Sequence, residues 1–235
     1  GVVTSYRYGV YDIREIDLEN TLMDLIKNQS NPTIALLIKK GYIEVRITAK
    51  ADTLEVAQKL LNPWDAIIRE RLGARVGRDL TVSMEETLGH VLLEEHSTIS
   101  TAESCTSGLV GKLLTNVSGS SEYYMGGVIS YSNDVKHRVL GVPQDMLDIY
   151  GAVSEQVAKA MAEGARTVGQ TTYAVSTTGI AGPGGGSPEK PVGLVWFGVT
   201  GPHGTVAHKA NLIGNREDIR QSAAELALYY VYTYI

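Results

Sequence analysis

The spacing of apolar positions divides the chain into two stretches with different patterns. In residues 1–73, β-rich runs alternate with segments of helical spacing, which predicts the order β-α-β-β-α. The predicted strands are residues 6–11, 34–38 and 43–48, and the predicted helices are 18–26 and 53–72. Pro63 is expected to interrupt the second helix. In the third strand Glu44 and Arg46 alternate with apolar residues, so one face is expected to be exposed.

From residue 80 onward, strands alternate with helices along the chain. Predicted strands lie at 98–102, 127–131 and 172–178, followed by a hairpin of 192–199 with 205–212. Predicted helices lie at 83–95, 106–114, 135–140, 154–168, with Ser154 as N-cap, and 216–232. This alternation predicts an α/β fold, a sandwich in which a mixed sheet is covered by helices. The first stretch is a small α+β domain.

Composition supports a boundary between the two stretches. Only four of the 25 glycines lie in residues 1–73. That stretch carries ten basic and ten acidic side chains, whereas the remainder carries the whole net charge of −5. The short, glycine-containing segment 73–80 is expected to be a linker. We therefore predict one domain at 1–73 and another at 80–235.

Charge and residue usage exclude several classes of protein. A net charge of −5 argues against a nucleic-acid coat protein or a basic membrane-surface protein. The one cysteine, Cys105, rules out an intrachain disulfide, and the five histidines lack metal-ligand spacing. No apolar run reaches the ~18 residues of a membrane helix, and residues 1–4 do not resemble a signal peptide. The expected location is cytoplasmic, without a membrane partner.

The first candidate for chemistry is the turn between the strand at 98–102 and the next helix. Ser104 and Cys105 lie there, and both are eligible nucleophiles. The N–H groups at the start of the helix could stabilise an oxyanion. Alternatively, Ser104 is the N-cap of the helix and Cys105 is a small buried residue.

The second candidate pairs Tyr131 with Lys136. A strand is predicted to end near Tyr131, and Lys136 lies in the first turn of the next helix. A helix N-terminus disfavours a protonated lysine, so Lys136 could have a low pKa and act as a base. Alternatively, it is an ordinary solvated lysine.

The third candidate is the glycine-rich loop at 178–187, which follows a strand. Five glycines between 179 and 186 expose backbone N–H groups and allow a phosphate to approach closely. Lys190 and Arg216 could also reach an anionic group. The alternative is a flexible surface loop.

Six motifs occur in an order and spacing that together resemble one family. They are Ala-Glu-Ser-Cys-Thr at 102–106, Gly119-Ser120-Ser121, Tyr131-Ser132-Asn133 with Lys136, Gly-Ala-Val-Ser at 151–154, Thr-Gly-Ile-Ala-Gly-Pro at 178–183, and Lys-Pro-Val-Gly at 190–193. This series resembles the C-terminal domain of the CinA family (competence/damage-inducible protein), the nicotinamide mononucleotide deamidases. Residues 5–73 are similar to the family's KH-type middle domain. They contain no GxxG loop, so no nucleic-acid partner is expected.

The resemblance implies a mechanism. Ser104 would attack the carboxamide of nicotinamide mononucleotide, with Lys136 as general base and Tyr131 relaying or positioning the proton. The N–H groups that start the helix after Cys105 would hold the oxyanion. Ammonia would leave, and water would hydrolyse the acyl-enzyme to nicotinate mononucleotide.

The resemblance also implies a substrate-binding set and no cofactor or metal. That set is Glu103, Cys105, Thr106, Gly119, Ser120, Ser121, Thr178, Gly179, Ala181, Gly182, Gly184, Lys190 and Arg216. Glu103 is expected to orient the turn or to bind the ligand. A homodimer is expected, because the KH-like part and the apolar tail at 226–235 would suit one.

The chain departs from the family's sequence at one position, and two alternative functions stay open. The family usually has Thr-Gly-Gly where this chain has Thr106-Ser107-Gly108, and a serine inside the predicted helix could crowd the site. One alternative function is a nucleotide-binding or assembly module without catalytic activity. The other is a cysteine enzyme that uses Cys105.

Overall fold

The computed structural model describes residues 1–77 and 82–235. It divides the chain into two compact units, Gly1–Ser83 and Met84–Ile235. Part of the predicted linker is structured, because Gly73–Arg75 form a 3₁₀ turn and Val76 bridges to Val10. The end of that linker, from residue 78, lies outside the described residues.

The first unit has the predicted β-α-β-β-α order. Its elements are β1 (Val2–Val10), α1 (Glu15–Thr21), α2 (Met23–Lys27), β2 (Thr33–Ile38), β3 (Ile43–Ala51) and α3 (Leu54–Leu72). The strands form an antiparallel sheet in the order β1-β3-β2. The predicted first helix is divided into α1 and α2 at Leu22, whose side chain is fully buried.

Two expectations for this unit were wrong. The helix α3 continues through Pro63, because that residue lies on the exposed side, where water can bind the carbonyl that loses its helical partner. On β3, Glu44 is 2% exposed although the alternation pointed it toward solvent. Arg7 covers it with two hydrogen bonds of 2.8 and 3.1 Å.

The second unit is the predicted α/β sandwich. Its elements are α4 (Met84–Glu94), β4 (Ile99–Glu103), α5 (Leu109–Thr115), β5 (Tyr124–Ile129), α6 (Asn133–Leu140), α7 (Gln144–Tyr150), α8 (Glu155–Gly169), β6 (Tyr173–Gly179), β7 (Leu194–Gly201), β8 (Gly204–Asn211) and α9 (Arg216–Tyr234). The strand order is β5-β4-β6-β7-β8. β4 runs parallel to β5 and β6, and β6-β7-β8 are antiparallel, so the sheet is mixed.

Helices cover both faces of this sheet. α4, α5 and α9 pack together on one face, whereas α8 lies against the other with α6 and α7 beside it. The chain leaves β4 toward the α5 face and leaves β5 toward the α6 face. Open α/β sheets bind ligands at the carboxyl edge where connections diverge in this way.

The apolar tail belongs to the core of this unit, which removes one argument for a dimer. Tyr229 and Tyr230 are 5% and 1% exposed. The ring of Tyr230 stacks on His208 with 4.1 Å between centroids and packs against Phe197. Dimerisation stays a prediction that this tail no longer supports. None of the helices in the described ranges has the length and apolar character needed to cross a membrane.

Candidate active site

Ser104 follows directly on the carboxyl end of β4, at the centre of the parallel part of the sheet. Its N–H donates to the carbonyl of Thr177 on β6 (3.0 Å), and the residue is 8% exposed. The helix after it begins at Leu109, not at Thr106 as predicted. The residue that precedes this helix is Gly108 at a φ of +98°, so the interpretation of Ser104 as an N-cap was wrong.

The carboxylate of Glu103 explains why the helix begins late. It accepts hydrogen bonds from the N–H groups of Gly108 (2.9 Å), Val110 (3.0 Å) and Gly111 (2.9 Å). It also accepts one from Oγ1 of Thr106 (2.7 Å). A carboxylate at a helix N-terminus is stabilised by these N–H groups and by the helix dipole. Glu103 therefore orients the turn, and these N–H groups are not available to the predicted oxyanion.

The turn is also held from α9 by Arg220, which the sequence analysis missed. Its Nε donates to the carbonyl of Cys105 (3.0 Å) and its Nη2 to that of Thr106 (3.2 Å). The side chain of Thr106 is fully buried and contacts Oγ1 of Thr177 at 2.7 Å. The one available sequence signal was that Arg220 follows Arg216 by one helical turn.

Lys136 lies beside Ser104, buried in the first turn of α6. The residue is 1% exposed, so the alternative of a solvated lysine was wrong. Its Nζ lies 3.1 Å from Oγ of Ser104, 2.8 Å from the carbonyl oxygen of Ser130 and 3.3 Å from that of Tyr131. Burial lowers the pKa of Lys136 to about 8. The sequence predicts a low pKa from the helix N-terminus, whereas the cause that lowers it in the structure is burial.

These contacts fit both protonation states of the amine. In the neutral state its two N–H groups can donate to the two carbonyls, and its lone pair then faces the hydroxyl of Ser104. In the protonated state the third N–H would donate to Ser104 instead. The arrangement can therefore take a proton from the serine and return it.

The side chain of Tyr131 lies elsewhere. It is 62% exposed, and its hydroxyl is 3.4 Å from Nη2 of Arg216. Nη1 of the same arginine donates to the carbonyl of Gly182 (2.6 Å). The structure therefore joins Tyr131 to the glycine-rich loop, and only its carbonyl contacts Lys136. This placement does not support the predicted proton relay.

The glycine-rich loop connects β6 to β7 at the same edge as Ser104. Its base is closed by hydrogen bonds from Ile180 N to Leu194 O (2.9 Å) and from Gly193 N to Ile180 O (2.8 Å). Ala181 and Gly182 are buried, whereas residues 183–189, including Gly184, are exposed. The middle of the loop is therefore accessible to a ligand.

Three predicted binding residues around this loop have partners within the protein. Nζ of Lys190 donates to the carbonyl of Tyr150 (2.6 Å), and Oγ1 of Thr178 donates to that of Ala152 (2.8 Å). Gly179 has a packing role, because a Cβ there would lie 2.6 Å from the side chain of Val195. Lys190 and Arg216 both donate to neutral carbonyls.

Gly119, Ser120 and Ser121 are not brought to Ser104 within the chain. They lie in the turn just before β5, whose first residue, Tyr124, pairs with Ile99 at the start of β4. Ser104 lies five residues beyond Ile99, past the other end of β4 and about 16 Å away along the strand. A site formed by one chain therefore excludes these three residues.

The site also bears on two other mechanisms, a cysteine nucleophile and a bound metal ion. Cys105 is 6% exposed, and burial raises the pKa of its thiol to about 12. A neutral, buried thiol argues against the alternative of a cysteine nucleophile. Among the described residues, no group of three or more His, Cys, Asp or Glu side chains could hold a metal ion.

Ser107 has a left-handed backbone conformation, with a φ of +48°. It lies exposed in the turn before α5 and not inside a helix, which corrects the expectation for this position. Glycine adopts this conformation without a steric cost, whereas serine does not. The strain is therefore in the backbone of the turn.

Comparisons with known proteins identify relatives of both parts. A family model described as the CinA C-terminal domain matches residues 81–235, and one described as the damage-inducible protein CinA KH domain matches residues 7–76. These matches confirm the resemblance inferred from the motifs.

Full-length relatives and a solved structure agree with these matches. The CinA-like protein of Kosmotoga olearia is 44% identical over 222 residues, covering 94% of this chain and 54% of the relative. The CinA-like protein of Dictyoglomus thermophilum is 43% identical over 221 residues, with the same coverage. This chain therefore spans about half the length of these curated relatives. The crystal structure of competence/damage inducible protein CihA from Agrobacterium tumefaciens is 39% identical, with a TM-score of 0.61 over 65% of this chain and 96% of that chain.

Proposed function

Since the chain belongs to the CinA family, we propose that its second unit hydrolyses nicotinamide mononucleotide to nicotinate mononucleotide and ammonia. The observation that carries this proposal is the contact of 3.1 Å between Nζ of Lys136 and Oγ of Ser104, formed in a buried setting. Serine hydroxyls are weak nucleophiles and need an adjacent base. A lysine with a pKa of about 8 can be that base near neutral pH.

The first half of the reaction is acylation. Nζ of Lys136 takes the proton of Ser104, and Oγ attacks the carboxamide carbon. The tetrahedral intermediate then loses its nitrogen, which receives the proton from Lys136 and leaves as ammonia. The carbonyls of Ser130 and Tyr131 keep the amine aimed at the serine throughout.

The oxyanion needs donors other than the N–H groups of α5, since Glu103 accepts from those. The N–H groups of residues 105–107 lie between Ser104 and the helix, and within the described ranges no acceptor is assigned to them. We assign the oxyanion to this part of the turn. Arg220 supports the assignment, because it holds the turn through the carbonyls of Cys105 and Thr106.

The phosphate of the nucleotide would bind at the glycine-rich loop. Arg216 and Lys190 lie at its two sides and donate to carbonyls of Gly182 and Tyr150. A phosphate is a stronger hydrogen-bond acceptor than a neutral carbonyl, so both side chains would form stronger hydrogen bonds by donating to it instead. The exposed ring of Tyr131 is next to Arg216 and would contact the ligand there.

Release of ammonia from nicotinamide mononucleotide by the purified protein tests the proposal. The parent should release ammonia, and Ser104→Ala should not. Ser118→Ala is the matched control, because it removes an exposed serine hydroxyl of the same unit that lies away from the turn after β4. The proposal fails if the parent releases no ammonia or if Ser104→Ala is as active as the parent.

The placement of Tyr131 favours a second candidate function. Because its hydroxyl lies beside Arg216 and not beside Ser104, the site could bind a nucleotide without turning it over. This candidate predicts binding of nicotinamide mononucleotide by calorimetry, loss of binding in Arg216→Ala, and no release of ammonia. Turnover by the parent would exclude it.

A further inference from the structure

The strand β5 is an open edge of the sheet in the second unit. Within the described residues it pairs with β4 alone. Its six residues include no charged side chain, and Met125 and Ile129 are 47% and 49% exposed. The opposite edge strand, β8, carries Lys209 instead. Because charges commonly protect exposed strand edges against pairing, the uncharged edge of β5 is the one that can accept a further strand.

The backbone of β5 offers regular hydrogen-bonding groups at this edge. The irregular step in its ladder with β4 lies between Tyr124 and Gly126, so the strand is regular from Gly127 onward. The N–H of Ser130 donates to a carbonyl of β4 (2.9 Å). Backbone groups alternate in direction along a strand, so those of Gly127 and Ile129 point to the open edge. In the part of the chain that the structure describes, no other strand pairs with them there.

The two ends of β5 carry groups that one chain does not bring together. The turn of Gly119, Ser120 and Ser121 precedes the strand, and two of these residues, Gly119 and Ser121, are exposed. Lys136 follows the strand and contacts Ser104 at the other end. The resemblance implies that both groups act on the substrate, whereas the six residues of β5 hold them apart.

Pairing with β5 of a second copy brings the two ends together. Identical strands related by a twofold axis run antiparallel, and the contact that they form is self-complementary. With the axis at Gly127, Met125 lies opposite Ile129 of the partner subunit, so the exposed apolar side chains of each strand are covered. The turn before β5 of one copy then lies at the same end of the shared sheet as Ser104 and Lys136 of the partner subunit.

We propose that the chain forms a homodimer through β5, in which residues 119–121 of each copy complete the active site of the other. The occupant of the edge is a second copy, because self-pairing accounts both for the open strand and for the turn that a one-chain site excludes. In the role that it gives to the turn, this inference rests on the proposed amidohydrolase function.

The position of β5 in the sheet indicates which part of the substrate the turn contacts. Ser104 follows β4, and the glycine-rich loop follows β6 on one side of it. β5 lies on the other side, so the turn of the second copy approaches from there. With the phosphate at the glycine-rich loop, this turn meets the nicotinamide end. Serine hydroxyls both donate and accept hydrogen bonds, which suits a carboxamide.

Sedimentation equilibrium tests the interface without relying on activity. The parent should be a dimer at micromolar concentration. Met125→Lys places a charge opposite the apolar Ile129 and should raise the dissociation constant of the dimer at least about tenfold. Val206→Lys is the matched control, because Val206 is 39% exposed on the other edge strand, and it should leave the dimer unchanged. A monomeric parent, or a Met125→Lys dimer as tight as that of the parent, would overturn the proposal.

Mixed dimers, prepared by coexpression with two affinity tags, test the shared site. Ser104→Ala lacks the nucleophile, and Ser121→Trp places an indole where the other copy binds substrate, so each homodimer should be inactive. Their mixed dimer has one site with both Ser104 and an unchanged turn, and it should release ammonia at about half the rate of the parent. The parent paired with the double variant Ser104→Ala/Ser121→Trp should be inactive.

A site formed within one chain predicts the reverse result for both mixed dimers, and that result would overturn the proposal. An active Ser121→Trp homodimer would contradict it as well. If the parent releases no ammonia, the proposed function fails on its own. The same pairs, with Arg216→Ala in place of Ser104→Ala, then test the shared site by calorimetry. One nicotinamide mononucleotide bound per dimer is expected in the first pair and none in the second, and absence of binding in the first pair would reject the shared site.

Discussion

Raising the pH from about 6 to about 9 should increase the rate of ammonia release, since only the neutral amine of Lys136 can accept the proton of Ser104. The change in pH acts on the amine of Lys136. This residue is 1% exposed, and burial lowers its pKa from an ordinary 10.5 to about 8. A lowered pKa increases the fraction of neutral amine at every pH in this range. The rate therefore rises with pH and levels off above about 8.

The size of the effect follows from the titration curve. With a pKa of about 8, about 9% of the amine is neutral at pH 7, compared with about 0.03% at the ordinary value of 10.5. Burial thus increases the active fraction about 300-fold at pH 7. Below pH 8, kcat/KM, which reports the pKa of the free enzyme, should change about tenfold for each pH unit.

The assay is ammonia release at nicotinamide mononucleotide concentrations well below KM and at constant ionic strength, which measures kcat/KM. The range above pH 7 is the informative one, because the substrate phosphate itself titrates near pH 6. Lys136→Arg is the matched variant, since a guanidinium stays protonated, and it should be inactive at every pH. A rate that is flat between about pH 6.5 and 9, or that falls as the pH rises through 8, would refute the assignment of Lys136 as the base.

Three further predictions concern the turn after β4. Ser107→Gly should raise the free energy of unfolding by about 1 kcal/mol, because glycine relieves the backbone strain at a φ of +48°; an unchanged or lower denaturant midpoint would contradict this. Glu103→Gln should lower the free energy of unfolding by about 3 kcal/mol, because an amide nitrogen would face N–H groups that now donate to a carboxylate. A denaturant midpoint equal to that of the parent would show that Glu103 does not hold α5. Cys105→Ser should keep kcat within about threefold of the parent, since the thiol is neutral and buried; its loss of turnover would revive the cysteine mechanism.

Local signals in the sequence predicted most of the elements. Ser154 was identified as an N-cap, and its Oγ does accept from the N–H of Val157 (3.3 Å). The alternation of strands and helices predicted the α/β sheet, including the antiparallel hairpin of β7 and β8. The short helix α7 was missed, because its seven residues offer too few apolar positions for a periodic pattern.

Two features of the site depend on tertiary contacts that the hydrophobic pattern of the sequence does not show. A helix was predicted from residue 106, but the carboxylate of Glu103 accepts from the N–H groups of Gly108, Val110 and Gly111 and sets a later start. Arg220 donates to carbonyls more than one hundred residues earlier in the chain, so its spacing from Arg216 could not indicate what it binds.

Tyr131 and Lys136 illustrate the same limit within one motif. Both belong to one short stretch, yet one side chain is exposed and the other is buried against Ser104. The motif therefore predicted that both residues lie at this edge of the sheet. The fold then directs the two side chains to different partners.

Direct measurement of the pKa of Lys136 tests the central claim most closely. An NMR titration of protein with isotopically labelled lysine side chains, assigned with Lys136→Arg, reports the protonation of this one amine. The account predicts a pKa of about 8 in the absence of substrate. A value near the ordinary 10.5 would leave only about 0.03% of the amine neutral at pH 7, and the proposed activation of the serine would be contradicted.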